Sequence, residues 1–275
     1  CISSAASDVY KRQGDFMRLY IITKRTLFSI GFCLLIGVIA GGIALTSTVQ
    51  AIQTASAQRE IPIYCVDTDK KQVALSFDAA WGNEQTEHLL DILDKYNVKT
   101  TFFLVGDWVE KYPESVKEIS KRGHDVGNHS NTHPHMTQMS VDDMNTQIQT
   151  CNEKIKALTG KCPTLFRAPY GDYNNDVVKT VKANNMYCVQ WDVDSLDWKD
   201  PTPNQITLNI TNKLKDGSII LMHNGATNTP EALPMVIEAI KAQGYEIVPI
   251  SQILLKGNYT TDVQGKMLPA QNATS

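Results

Sequence analysis

Five short segments of this 275-residue chain carry most of the side chains that could do chemistry together. They are Ser76-Phe77-Asp78-Ala79-Ala80-Trp81, His129-Ser130-Asn131-Thr132-His133, Arg167-Ala168-Pro169-Tyr170, Asp194-Ser195-Leu196-Asp197-Trp198 and Leu221-Met222-His223. Asp78 follows the apolar positions Val73, Leu75 and Phe77. A carboxylate carried into such surroundings needs a charge partner or it takes up a proton. Arg167, flanked by Leu165, Phe166 and Pro169, is the candidate partner, and a purely structural Asp–Arg pair is the alternative. His129 and His133 are spaced i and i+4, which on one helical turn or a tight loop lets two imidazoles meet a single divalent cation. Surface loop histidines are the competing explanation. His223 ends the apolar run from Ile219, where a histidine is often just a satisfied core residue. A neighbouring carboxylate such as Asp197 would instead raise its pKa and keep it protonated as a general acid near neutral pH. Trp198 and Leu221 would line an apolar pocket, although core packing explains each taken singly.

Together these parts describe metal-assisted hydrolysis of an acyl group. His129 and His133 hold the cation that polarises the carbonyl, and Asp78 takes the proton of the attacking water. His223 returns a proton to the leaving atom, and a backbone N–H near Tyr170 holds the developing oxyanion.

The elements that must position these groups alternate regularly. Strands are expected near 73–77, 100–105, 125–127, 164–166, 187–191, 218–222 and 246–248, where short apolar runs lie between turn signals. Helical patterns separate them. One over 84–96 has Leu89, Leu90, Ile92, Leu93 and Tyr96 on one face, one opens at Pro113, and one opens at Ser140-x-x-Asp143, which resembles a capping box. Others are expected near 176–183, 203–214 and from 229 to just before Gly244. Such alternation points to a mostly parallel sheet covered by helices. A closed or nearly closed β/α barrel is the economical form, because it places Asp78, His129, Arg167, Asp194 and His223 together at the C-terminal ends of strands. An open doubly wound sheet is the alternative.

The order and spacing of the five segments resemble the polysaccharide deacetylase family with the NodB-type domain, carbohydrate esterase family 4, over roughly Val73 to Leu255. The resemblance implies a distorted (β/α)7-8 barrel that removes N-acetyl groups from amino sugars of peptidoglycan, chitin or related glycans. It implies Asp78 as catalytic base tethered by Arg167, His223 as acid tuned by Asp197, and His129 and His133 as metal ligands. Trp198 and Leu221 would hold the acetyl methyl, with Tyr170 at the oxyanion. The cofactor implied is a divalent cation, Zn²⁺ first, with Co²⁺ or Mn²⁺ as alternatives. The family's first motif normally carries a second aspartate where this chain has Ala79, and an alanine methyl cannot coordinate a cation. Metal binding is therefore expected to be weak unless Asp78, Glu84 or Asn128 fills in. Phe77-Asp78-Ala79-Ala80-Trp81-Gly82 looks like the subgroup resembling the sporulation-associated deacetylase PdaB. A glycan-binding pseudoenzyme and an O-acetyl esterase acting on xylan are the alternative functions.

The rest of the chain sets the context. No charge occurs from Thr26 to Gln58, and Leu27 to Leu45 is long and apolar enough to cross a hydrocarbon core. Arg18, Lys24 and Arg25 precede it, so a signal-anchor within 17–49 is expected, with the following chain outside the bacterial cell membrane and a removed signal peptide as the alternative. Residues 1–16 read as a non-native or cytoplasmic leader, 50–60 as a linker, 61–256 as the deacetylase-like domain and 257–275 as a poorly ordered polar tail. Beyond residue 25 the chain has 21 basic against 27 acidic side chains, which argues against nucleic-acid binding. The expected partner is a glycan, and the domain is large enough to bury its core as a monomer. Cys65, Cys151, Cys162 and Cys188 lie in the exported part as disulfides of undetermined pairing or as free thiols.

Overall fold

The computed structural model describes residues 59–270. Its central strand is β2 (Gln72–Ala79), and strict alternation gives it two different faces. Val73, Leu75, Phe77 and Ala79 join the large apolar cluster beneath the helices, and Ala74 belongs to a second cluster. Ser76 and Asp78 share the Ala74 face. The strand therefore supplies core on one side and the only polar groups it buries on the other.

Seven further strands extend this one into a sheet in which every pairing is parallel: β3 (Thr101–Leu104), β4 (Asp125–Asn128), β5 (Leu165–Phe166), β6 (Tyr187–Cys188), β7 (Val193–Asp194), β8 (Ile219–His223) and β9 (Glu246–Val248). The order is β6-β5-β4-β3-β2-β8-β7, with β9 added beside the start of β2. Both ends of this order, β6 and β7, belong to one stretch of chain, Tyr187 to Asp194. Its beginning pairs with β5 and its end with β8. Between them Ile63 intervenes, donating its N–H to the Cys188 carbonyl at 2.8 Å and accepting from Gln190 N–H at 2.7 Å. The barrel expected from the alternation is thus a parallel, helix-covered sheet curled on itself, with β6 and β7 unpaired where the ring would close.

The covering helices are α1 (Thr86–Lys95), α2 (Gly106–Lys111), α3 (Pro113–Lys121), α4 (Val141–Thr159), α5 (Asn175–Ala183), α6 (Pro203–Thr211), α7 (Thr229–Ala242) and the single turn α8 (Ile250–Ile253). Leu89, Leu90 and Leu93 of α1 and Leu233, Val236 and Ile237 of α7 fill the main cluster. Met144 and Ile148 of α4 with Val177, Val178 and Val181 of α5 cover Phe166 and Cys188. At the head of α4 the Ser140 hydroxyl accepts the Asp143 N–H at 3.1 Å, but the Asp143 carboxylate returns to that hydroxyl, not to the Ser140 backbone. The reciprocal capping box stands instead at Thr202 and Gln205, opening α6.

The tail corrects the expectation of disorder. β10 (Tyr259–Thr261) and β11 (Lys266–Pro269) form a three-stranded sheet with β1 (Cys65–Val66), β11 parallel to β1 and antiparallel to β10. Met267 is fully buried there against the cluster holding Ile63, Val66, Ile219 and Val248. The pairing partner of β11 lies some 200 residues away in sequence, so the tail's own composition carries no trace of it. Cys65, Cys151, Cys162 and Cys188 are all free thiols, and only Cys162 is exposed. The expected anchor, leader and most of the linker lie outside the described residues; among the described residues no helix is long and apolar enough to cross a membrane.

Candidate active site

Asp78 and Arg167 meet at the C-terminal end of the strands. Arg167 is fully buried and its Nη1 donates to Asp78 Oδ1 at 2.7 Å. Its Nη2 donates to Ser76 Oγ at 2.9 Å and to the Gln190 carbonyl at 3.2 Å, while the guanidinium lies 4.1 Å from the centre of the Phe103 ring. Ser76 passes its own hydroxyl proton to the Ile220 carbonyl, tying β2 to β8. Burial alone would raise the Asp78 carboxyl, but the charge and hydrogen bond of Arg167, with His223 beyond, outweigh it and hold the pKa below the ordinary carboxylate value. The expected charge partnership is therefore present, and Asp78 is ionised with its second oxygen facing the cavity.

That second oxygen faces His129. The His129 Nδ1 lies 2.8 Å from the Arg167 carbonyl, which can only accept, so Nδ1 carries the proton and Nε2 presents a lone pair. Nε2 stands 3.4 Å from Asp78 Oδ2. Burial lowers the His129 pKa, and burial together with neighbouring His129 pushes His133 down to about 4, so both imidazoles are neutral at pH 7. The two rings are 4.9 Å apart, edge to face. They are brought together by a loop and not a helix: Ser130 and His133 adopt left-handed backbone conformations (φ 66° and 59°), and the Ser130 hydroxyl accepts the His133 N–H at 3.0 Å.

The acid end of the site is built by Asp197. Its Oδ1 is 2.7 Å from His223 Nδ1, and its Oδ2 accepts the His223 N–H at 2.8 Å and the Thr229 hydroxyl at 2.7 Å. Burial would lower the His223 pKa, but the hydrogen bond and charge of Asp197 dominate and raise it above the usual imidazole value. Asp78 and His223 are register partners on β2 and β8, so they stand side by side on the floor of one cavity of about 560 Å³. Leu221, Trp198, Tyr170, His129 and His133 line its walls, a volume suited to a small ligand. Tyr170, itself left-handed at φ 59°, lies between His133 at 4.5 Å and a stacked His135 at 4.3 Å.

Comparison with known proteins agrees with this geometry. Residues 66–189 match the polysaccharide deacetylase family. A peptidoglycan-N-acetylglucosamine deacetylase of Bacillus cereus is 36% identical over 66% of this chain and 68% of its own. The chain belongs to the polysaccharide deacetylase family. Bacillus subtilis PdaC, a peptidoglycan-N-acetylmuramic acid deacetylase, is 37% identical over 68% of this chain, and the chain spans only 40% of PdaC's length. The crystal structure of BA3943 of Bacillus anthracis, described as a carbohydrate esterase family 4 pseudoenzyme, superposes with a TM-score of 0.68 at 39% identity, covering 70% of this chain and 69% of that one. A mutant of BA3943 is described as having restored enzymatic activity.

Against that family background the metal half of the site is incomplete. Among the described residues no group of three or more His, Cys, Asp or Glu side chains could hold a metal ion. Ala79 is fully buried and packs in the main apolar cluster. Of the three expected substitutes, Asp78 stands 3.4 Å from His129 Nε2, whereas Glu84 and Asn128 are engaged elsewhere. Asn128 spends its amide on the Ile148 carbonyl and Asn152 and its oxygen on the Ser130 N–H, while Glu84 accepts the Asn83 N–H outside the cavity. His129 Nε2 and Asp78 Oδ2 do converge, but the separate carboxylate that the family pattern places at Ala79 is missing, which leaves two histidines and the candidate base.

All of the sequence-assigned residues that face the cavity, Asp78, His129, His133, Tyr170, Trp198, Leu221 and His223, are brought together, with Arg167 and Asp197 directly behind Asp78 and His223. Trp81, Trp191 and Asp194 also line it and had no assigned role. The signal for Trp81 was present in its position two residues after the departing Ala79.

Proposed function

We propose that this chain is an N-deacetylase of peptidoglycan-type amino sugars. The observation that carries the reading is that two neighbouring titratable groups are driven in opposite directions by separate buried partners. Arg167 lowers the pKa of Asp78 while Asp197 raises that of His223, the pair of shifts by which one site supplies a base and an acid at the same pH. Water adds to the amide carbonyl while Asp78 Oδ2 takes its proton. The C–N bond then breaks as His223 donates a proton to the nitrogen, leaving acetate and a free amine. Trp198 and Leu221 receive the acetyl methyl, and a backbone N–H near Tyr170 faces the developing oxyanion. The similarity to two peptidoglycan deacetylases supports the substrate class. The uncharged stretch from Thr26 to Gln58 behind Lys24 and Arg25 supports a membrane-anchored protein whose domain faces the cell wall.

A second reading, a glycan-binding pseudoenzyme, is favoured by Ala79 and by the likeness to BA3943. Acetate release from N-acetylglucosamine oligomers, peptidoglycan and acetylated xylan, measured with chelator and then with Zn²⁺, Co²⁺ or Mn²⁺, separates the two. Release that disappears in Asp78→Asn and in His223→Ala is expected. Binding of oligomer without release under every metal condition would transfer the assignment to the pseudoenzyme.

A further inference from the structure

The segment that lacks the family's usual second carboxylate puts an indole into the cavity. Trp81 is 50% exposed and lies over the His223 imidazole, with ring centres 5.7 Å apart and planes inclined by 24°. Its seat is made by Gly225, where an added methyl group would stand 2.6 Å from the Trp81 carbonyl oxygen and 3.1 Å from its Cδ1 and Nε1. The next carbonyl, that of Gly82, is held by Trp108 Nε1 at 2.7 Å. The ring thus lies with one part against His223 and Gly225 and the remainder in solvent. Trp81, Tyr170 and Trp198 are the aromatic members of the large exposed hydrophobic side chains among the described residues, and all three line this one cavity. Exposed indoles have no role in the core, and their concentration around an acid and a base marks a recognition surface.

We propose that Trp81 is a specificity-determining residue, a platform on which the apolar C–H face of a pyranose ring stacks beside His223. This rests on the reading that the ligand is an amino-sugar glycan, and it holds whether or not that glycan is hydrolysed. Ring-on-indole contact buries apolar area at small entropic cost because an indole has only two side-chain torsions to restrict.

The test is calorimetric titration of N-acetylglucosamine tetramer into the full chain with chelator present, so that binding is read without turnover. Trp81→Ala is expected to bind about tenfold more weakly, the loss of one aromatic face. Trp81→Phe keeps a stacking face and is expected to stay within about threefold of wild type. Gly225→Ala, which leaves the indole in the chain but forces it off its seat, is expected to fall between them, and it serves if Trp81→Ala does not fold. Trp81→Ala or Gly225→Ala binding as well as wild type, with an unchanged circular dichroism spectrum, would overturn the platform while leaving the glycan reading intact. Equal losses in Trp81→Ala and Trp81→Phe would also overturn it, and a wild-type chain that binds no oligomer would overturn the glycan reading itself.

Discussion

Arg167 serves the fold as well as the proposed chemistry. A guanidinium with no solvent exposure is tolerated because Asp78, Ser76 and the Gln190 carbonyl accept hydrogen bonds from its two Nη groups, while the buried Nε has no partner among the described residues. Replacing it by methionine strands a buried carboxylate, and breaking such a pair costs about 3–5 kcal/mol. Urea unfolding of Arg167→Met is expected to show that loss, and activity is expected to fall with it. Asp197→Asn acts differently. The folded pKa of His223 is raised, so its stabilising contribution is full below the unfolded imidazole value of about 6.5 and is lost as pH rises through the folded pKa. The stability gap between wild type and Asp197→Asn is therefore expected to be widest near pH 6 and to narrow toward pH 9 in urea midpoints. Ala79→Asp puts a carboxylate into a fully buried apolar site, and the mutant is expected to melt below wild type in chelator. If the carboxylate completes a site with His129 and His133, added Zn²⁺ raises its melting temperature while leaving wild type nearly unchanged. Equal Zn²⁺ shifts in both proteins would show that Ala79 is not what limits metal binding.

At the scale of elements, the sequence reported most clearly the pieces that carry their own periodicity. β2, β3, β4, β8 and β9 and the helices α1, α3, α4, α5, α6 and α7 lie within a few residues of their expected positions, because alternation, first-turn prolines and terminal glycines are local signals. Asp78, His129, Arg167 and His223 were legible for the same reason, since each ends or follows a strand that could be read. The missed elements are short or defined by distant partners: the two-residue β1 and β7, β10 and β11 of the small sheet, the six-residue α2, which begins at a glycine, and the single-turn α8. The long expected strand at 187–191 became the short β6 because Ile63 takes the hydrogen bonds beyond Cys188. Capping was half legible. Ser140 does cap α4, and Ser140→Ala is expected to cost about 1 kcal/mol in thermal or urea unfolding. The reciprocal bond belongs to Gln205, so Gln205→Ala is expected to weaken α6 more than Asp143→Ala weakens the backbone cap of α4.

For the molecule as a whole, the strand ends are covered at one pole and open at the other into the polar site. The upper pole holds Asp78, Arg167 and His223; the opposite pole is closed by the small sheet of β1, β10 and β11. Close approach there depends on Gly217, at φ +80°, where a methyl group would stand 1.8 Å from the Val66 carbonyl oxygen. Met267 of β11 then enters the cluster of Ile63, Val66, Ile219 and Val248 with no solvent exposure. Truncating a fully buried methionine to alanine removes its transfer free energy and leaves a cavity, together about 2–5 kcal/mol. In a domain of this size, each kcal/mol lowers the melting temperature by roughly 2–4 °C, so Met267→Ala is expected to melt some 5–15 °C below wild type. A chain ending at Lys256 loses β10 and β11 and leaves β1 without its partner, so it is expected to lose more, with binding of N-acetylglucosamine oligomers weakening in parallel. The mechanical link runs along β2 and β8, whose lower residues Ala74 and Ile219 belong to the plugged cluster and whose upper residues are Asp78 and His223. Scanning calorimetry on the two variants decides the matter: an unchanged transition in the shortened chain would mean that the polar tail, despite its strands, folds outside the cooperative unit.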